Sequence, residues 1–221
     1  MAIDSTNGGT ISGTVILEGP CPAPQTFLCG DNVGCDRASV TAQHWIVNNG
    51  KVANAFIYIK DGLDNKKYTI PTSPALLDQR HCVYKPHVMG LILGQPLEVL
   101  NSDSTLHNVH LTSASVGESF NRIFPQGMAP MSSHFETPGI KTIKCDVHGW
   151  MNCYIGVVPH PFFAVSDSTG HFEIKGVPPG DYTLELWHES TTGSDNAVVE
   201  TKKISVKAKE TQRADFSITA R

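Results

Sequence analysis

The fold of this chain is decided by residues 140–158, which read IKTIKCDVHGWMNCYIGVV. In residues 140–145, the last three side chains alternate between apolar and polar. Ile143 and Cys145 therefore point to the same face of a predicted strand. Residues 154–158 predict the returning strand. His148 and Met151 therefore lie on a loop between two strands, close to the sulfur of Cys145.

This loop carries a thiolate, an imidazole and a thioether. A mononuclear copper electron-transfer site uses two histidines and a cysteine in a near-trigonal plane, with a weak axial bond to a methionine. The second histidine has to come from elsewhere, and His107 follows the strand-like run 97–100. The sequence thus predicts one copper ion bound by His107, Cys145, His148 and Met151.

The string His107-Asn108-Val109-His110, followed by Cys145-x2-His148-x2-Met151, resembles the cupredoxins. The loop spacing is most similar to amicyanin, although Gly149 stands where amicyanin-type loops place a proline. The resemblance implies a Greek-key β-sandwich in which the first histidine of the string and the three loop residues bind copper. It also implies that a ring edge of His148 reaches the surface and exchanges electrons with the partner.

Other interpretations of the same residues remain open. A structural zinc site would show paired Cys or His couples and has no use for a methionine. A binuclear copper site needs a second cysteine inside the loop, and Cys153 lies outside it. Met128 and Met131 could replace Met151 as the axial ligand, but they lack the family spacing. His110 faces away from the metal if the strand continues.

Five cysteines remain if Cys145 binds the metal, and an odd number cannot all pair within one chain. A disulfide between Cys29 and Cys82 is plausible, and one between Cys21 and Cys35 is possible. Cys153 is most simply a buried small hydrophobic residue. The connectivity cannot be derived from the sequence.

Nearly every periodic segment alternates with period two and ends at Gly, Pro, Asn or Asp, which predicts an all-β chain. The segments 9–15, 52–59, 167–174 and 177–184 resemble the carboxypeptidase regulatory-like domain, a small transthyretin-like β-sandwich. We therefore expect residues 1–60 plus 161–221 to form this sandwich, with the cupredoxin-like domain inserted as residues 61–160. A tandem arrangement of the two domains is the alternative.

With 221 residues the chain can hold one large or two modest β domains. Its formal net charge of −4 gives no basic surface, so we expect no nucleic-acid partner. No apolar run has the length of a membrane span, and the first residues lack the features of a secretion signal. Six cysteines and a copper motif nevertheless favour the periplasm or another extracytoplasmic space, reached by a form whose leader has been removed.

These observations predict an extracytoplasmic type 1 (blue) copper protein that carries single electrons between transient redox partners, such as a cytochrome or an oxidoreductase. The alternative is copper storage or delivery, with the second sandwich as a docking module; Met128, Met131 and Cys153 favour it. A third possibility is an adhesion-type protein whose cupredoxin unit has lost its metal, which the complete ligand set disfavours. No catalytic motif was found, so we expect an electron carrier without enzyme activity.

Overall fold

The computed structural model describes residues 7–30, 34–35, 38–63, 67–112 and 119–220. Every regular element in these ranges is a β-strand, which confirms the predicted all-β class. Among the same residues, no helix has the length and apolar composition that crossing a membrane requires.

Twenty-one strands follow one another along the described residues, separated by turns and loops. The strands of the first half are β1 (Gly9–Glu18), β2 (Thr26–Leu28), β3 (Ser39–Thr41), β4 (Val47–Asn48), β5 (Lys51–Val52), β6 (Phe56–Asp61), β7 (Ala75–Gln79), β8 (Tyr84–Lys85), β9 (Val88–Ile92) and β10 (Leu97–Asn101). The strands of the second half are β11 (His107–Leu111), β12 (Phe120–Phe124), β13 (Met131–Ser133), β14 (Gly139–Lys144), β15 (Asn152–Val158), β16 (Phe163–Val165), β17 (His171–Val177), β18 (Gly180–Ser190), β19 (Gly193–Val206), β20 (Thr211–Arg213) and β21 (Phe216–Thr219).

The chain divides into two compact units. Unit 1 consists of Met1–Ala23, His44–Thr69 and His160–Arg221, and unit 2 consists of Pro24–Gln43 and Ile70–Pro159. Unit 2 therefore interrupts unit 1 twice in the sequence.

Residues 24–43 depart from the predicted division, which placed them in the amino-terminal sandwich. They belong to unit 2. Cys29 and Val40 lie in its hydrophobic core, and Cys35 forms a disulfide with Cys82. Residues 61–69 and His160, which the predicted division placed in the cupredoxin-like domain, belong to unit 1. The transthyretin-like nature of unit 1 stays a prediction.

Unit 2 is built mainly from two sheets that bury one core. Their strand orders are β13-β10-β7-β8 and β12-β11-β14-β15-β9. Alternate residues such as Leu97 and Val99 on β10 face side chains such as Val109 on β11 and Ile155 on β15 in a single cluster. Removing these apolar surfaces from water is the main driving force that holds the sheets together.

The pairing of three strands positions the predicted ligands at one end of the second sheet. Strand β11 runs antiparallel to β14, with Leu111 opposite Ile143, and β14 runs antiparallel to β15. The start of β11 therefore lies beside the end of β14. Ile143 and Cys145 are both buried, which confirms their predicted common face.

Unit 1 has a separate core. Strand β1 pairs antiparallel with β17 and β5 and parallel with β20 and β21, while β6 and β18 pair in a second sheet with β16 and β19. Tyr182, Leu184 and Leu186 on β18 are buried at alternate positions, as the period of a strand requires.

Candidate metal centre

Three of the four predicted ligands converge in unit 2. The Nδ1 atoms of His107 and His148 are 3.0 Å apart, and Cys145 Sγ lies 4.0 Å from the first and 3.9 Å from the second. None of the three residues is more than 3% exposed. Metal bonds to imidazole nitrogen and thiolate sulfur are about 2.0–2.3 Å long, so these atoms are close enough to share one ion.

The loop closes on itself through its backbone. The N–H of Cys145 donates to the carbonyl of Met151 at 3.0 Å, and the N–H of Met151 donates to the carbonyl of His148 at 2.8 Å. Met151 is only 1% exposed and packs in the same core cluster as Cys145. These two bonds hold the backbone of Met151 next to Cys145 and His148, and the role of Met151 as the axial ligand stays a prediction.

The environment of Cys145 favours the thiolate. Burial raises the pKa of this thiol, but hydrogen bonds from His107 and His148 lower it more, and backbone N–H groups of Asn108 and His148 add to the effect. Together they bring the pKa from 9.0 to about 6. The thiolate is the form that binds metals, and with this pKa Cys145 is mainly a thiolate at neutral pH.

Asp103 fixes the ring of His107. Its Oδ2 lies 2.9 Å from His107 Nε2, and both residues are buried. Burial lowers the pKa of His107, but the hydrogen bond to Asp103 and the neighbouring Cys145 raise it above its ordinary value. A histidine whose Nε2–H is held by a carboxylate presents Nδ1 to a metal, and such partners also make the imidazole more basic.

The same carboxylate joins a second part of the chain to the site. The N–H groups of His81 and Cys82 donate to Asp103 at 2.5 and 2.8 Å. Both residues have positive φ angles, 60° and 54°. The two consecutive N–H groups converge on one carboxylate, so they form a small anion-binding site that holds a side chain of the protein itself. Asp103 thus connects the backbone of Cys82 to the ring of His107.

A polar network ties β11 to the ligand loop. The N–H of Asp146 donates to Asn108 Oδ1 at 2.6 Å, and Asn108 Nδ2 donates back to Asp146 Oδ2 at 2.9 Å. His110 Nδ1 lies 2.9 Å from Asp146 Oδ1, on a partly exposed side of the strand. Asn108 therefore fixes the spacing between His107 on β11 and Cys145 in the loop.

The prediction that a ring edge of His148 reaches the surface is wrong, because this residue is only 1% exposed. Its Nε2 lies 3.7 Å from Cys35 Sγ, and the ring of Trp150 lies 5.3 Å from its own ring. Trp150 Nε1 donates to the carbonyl of Cys82 at 3.0 Å, and its ring stacks on Phe27 at 6.1 Å. Residues 24–43 belong to unit 2 and bring Phe27 and Cys35 to this end of the sheet.

The disulfide joins Cys35 to Cys82, so the two predicted bridges, Cys29–Cys82 and Cys21–Cys35, are both wrong. The Cα atoms of Cys35 and Cys82 are 5.2 Å apart, within the range a disulfide needs. Cys21 is exposed in unit 1, whereas Cys35 is buried in unit 2. Cys153 is buried, as predicted for a small hydrophobic residue.

Sequence reasoning missed Asp103, Asn108 and the disulfide. Asp103 stands four residues before His107, and Asn108 directly follows it, so both lay within the segment that supplied the second histidine. A polar residue beside a predicted ligand is the signal that could have found them. The disulfide had no such signal, since its cysteines are 47 residues apart.

Comparison with known families gives a partial match. A family model described as polysaccharide lyase family 4, domain II, matches residues 138–214, from β14 of unit 2 to β20 of unit 1. This is about a third of the chain, which is too little to assign it to that family. No curated protein sequence matches significantly.

Solved structures that resemble the chain include several copper proteins. An oxidised amicyanin variant has 20% identity and a TM-score of 0.35, with 38% of this chain and 81% of that chain covered. A purple cupredoxin from Nitrosopumilus maritimus has 21% identity and a TM-score of 0.33, covering 38% of this chain and 98% of its own length.

A copper-containing nitrite reductase from Thermus scotoductus SA-01 also matches, with 18% identity and a TM-score of 0.36. The match covers 44% of this chain, which spans only 25% of that enzyme. These likenesses are too low to support a function by themselves.

Proposed function

We propose that unit 2 is a cupredoxin-type domain that binds one copper ion through His107, Cys145, His148 and Met151 and carries single electrons between transient redox partners. The observation that supports this proposal is the convergence of one thiol and two imidazole nitrogens, all buried, within 4.0 Å of one another. A soft sulfur donor together with two imidazoles is the donor set of blue copper sites.

The residues around the donors suit this role. Bound copper would supply the one-electron redox chemistry, while the protein holds the ligands and excludes water. Asp103 and Asn108 fix the ligands before any metal binds. Zinc is a weaker candidate, because a structural zinc site is normally completed by a third or fourth Cys or His in place of a thioether.

Burial of His148 changes the expected route of the electron. Trp150 is half-buried and lies 5.3 Å from His148, so its indole is our candidate for the outward contact. We infer a partner such as a cytochrome or an oxidoreductase that docks weakly through a small surface. The Cys35–Cys82 disulfide supports an oxidising, extracytoplasmic location such as the periplasm.

The test is a visible absorption and electron paramagnetic resonance spectrum after one equivalent of Cu(II) is added to the disulfide-bonded protein. We expect an intense thiolate-to-copper band and a mononuclear copper signal. Cys145→Ser should lose the band, because the band requires the sulfur. The matched variant Cys153→Ser should keep it, since Cys153 lies outside the donor group. A Cys145→Ser variant that keeps the colour contradicts the proposal.

Copper storage or delivery is the second candidate, and one observation favours it. Met128 and Met131 line a groove of about 250 Å³ together with Phe120 and Arg122, and thioethers bind Cu(I). An electron carrier should retain its copper through repeated oxidation and reduction. A delivery protein should instead transfer Cu(I) to a competing chelator within one cycle, and loss of this transfer in a Met128→Leu, Met131→Leu variant would assign it to the groove.

A further inference from the structure

We propose that Cys35, Cys82 and His148 form a second metal site when their disulfide is reduced, and that this site takes a soft monovalent ion such as Cu(I). The inference goes beyond the proposed electron carrier, with which it shares only His148. It concerns the dithiol form of the protein, in which both sulfurs become ligands.

His148 stands between two groups of donors. Its Nδ1 lies 3.0 Å from His107 Nδ1 and 3.9 Å from Cys145 Sγ, while its Nε2 lies 3.7 Å from Cys35 Sγ. The possible ligand atoms of Cys35, Cys82 and His148 all lie within 4.8 Å of one another. Each of these residues is buried, with 1%, 0% and 1% of its surface exposed. The ring thus presents one nitrogen to each group.

The sulfur positions do not depend on the disulfide alone. Asp103 accepts the N–H of Cys82 at 2.8 Å, and Trp150 Nε1 donates to the carbonyl of Cys82 at 3.0 Å. Both backbone groups of Cys82 are therefore held by other residues. Gly34 packs so closely on Ser104 that an added Cβ would lie 2.7 Å from its carbonyl oxygen, which restrains the neighbouring Cys35. The two thiols should stay close together after reduction.

Reduction of the disulfide requires a dithiol reductant. A thiolate of the reductant attacks one sulfur of the bridge, so the S–S bond breaks, one protein cysteine leaves as a thiolate and the other is held in a mixed disulfide. The second thiolate of the reductant then attacks this mixed disulfide and releases the other cysteine. Two electrons pass to the protein, Cys35 and Cys82 become thiols, and the reductant becomes a disulfide. Binding of Cu(I) then displaces the protons of both thiols. Two thiolates and one imidazole form a donor set that suits Cu(I).

The two sites compete for one imidazole. A neutral imidazole binds a metal through one nitrogen while the other carries a proton. His148 can therefore complete the site at Cys145 through Nδ1 or the site at Cys35 through Nε2. The redox state of the cysteine pair then decides whether the second option exists.

The test uses Cys145→Ser, which disables the first site and leaves Cys35, Cys82 and His148 in place. The protein is reduced with a dithiol, freed of reductant without air, and titrated with Cu(I) against a chromophoric chelator. We expect the reduced protein to bind one Cu(I) ion tightly. The disulfide form should bind no Cu(I) ion with comparable affinity. Adding His148→Gln should weaken binding at least about tenfold, because one ligand is lost. Equal Cu(I) binding by the reduced and disulfide forms overturns the proposal.

A second measurement works with the wild-type chain and does not depend on a folded variant. The reduced protein is alkylated with and without two equivalents of Cu(I), and each cysteine is located by peptide mass spectrometry. Protection of both Cys35 and Cys82 by the metal supports the site, and their unchanged alkylation contradicts it. The outcome is separable from the blue-copper proposal, which is tested with Cu(II) in the disulfide form.

Discussion

Asp103 fixes the site at three points, because its carboxylate contacts the ring of His107 and the backbone N–H groups of His81 and Cys82. Replacing it with asparagine removes the charge and one strong acceptor while keeping the shape. We expect Asp103→Asn to lower the affinity for copper about 10–100-fold, the usual effect of losing such a partner.

A competition titration with a copper chelator measures this loss. Asp78→Asn is the matched control, because the Asp78 carboxylate accepts from Ser102 and contacts none of the three donors. If the two variants lose affinity equally, Asp103 has no special role at His107.

The pKa of Cys145 gives a second prediction at the level of one residue. In the metal-free protein, the ultraviolet absorption of the thiolate should appear with a midpoint near the pKa of about 6. Because the pKa is lowered on folding, the thiolate stabilises the fold above the unfolded value of 9.0, and this contribution disappears as the pH falls through about 6. The difference spectrum between wild type and Cys145→Ser isolates the group. A midpoint near 9.0 would show that the two histidines do not stabilise the thiolate.

The ligand loop between β14 and β15 contains Gly149 at a position where neither the backbone conformation nor the available space requires a glycine. Gly149 does not have a positive φ, and an added Cβ would meet no atom within 4 Å. Gly149→Ala should therefore stabilise the protein by about 0.4–1 kcal/mol through the unfolded chain and leave the copper spectrum unchanged. Chemical denaturation measures the gain.

Gly34 is the control position, because its backbone conformation and surroundings do require a glycine. Its φ is +104°, and a Cβ there would lie 2.7 Å from Ser104 O, so Gly34→Ala should destabilise by more than about 1 kcal/mol. If both variants behave alike, local backbone conformation does not control these two positions.

The elements also show what the sequence could and could not predict. Strands β14 and β15 and the loop between them were predictable, because alternation and ligand spacing are local properties. Lys141 illustrates a limit: it shares the core face with Ile143 and is fully buried, with its Nζ donating to Thr137 Oγ1 at 2.7 Å. Residues 24–43 could not be assigned, because contacts across 47 residues between Cys35 and Cys82 leave no pattern in either segment.

Each unit of the whole molecule has a hydrophobic core of its own, without shared residues. A ligand stabilises only the structure that binds it, by about 2.7 kcal/mol at a concentration one hundred times its dissociation constant. Copper should therefore raise the thermal transition of unit 2 and leave that of unit 1 in place. Calorimetry with and without one equivalent of copper measures this. One transition that shifts as a whole would show that the units unfold together.

The pairing of β1 has a consequence for biogenesis. Three of its partner strands, β17, β20 and β21, lie between residues 171 and 219. Everything that unit 2 needs has been synthesised by residue 159. At roughly 5–20 residues per second, the ribosome requires several more seconds to complete the partners of β1. During that interval the nascent chain already holds every residue of the donor end of unit 2, whereas β1 still lacks three of its partner strands.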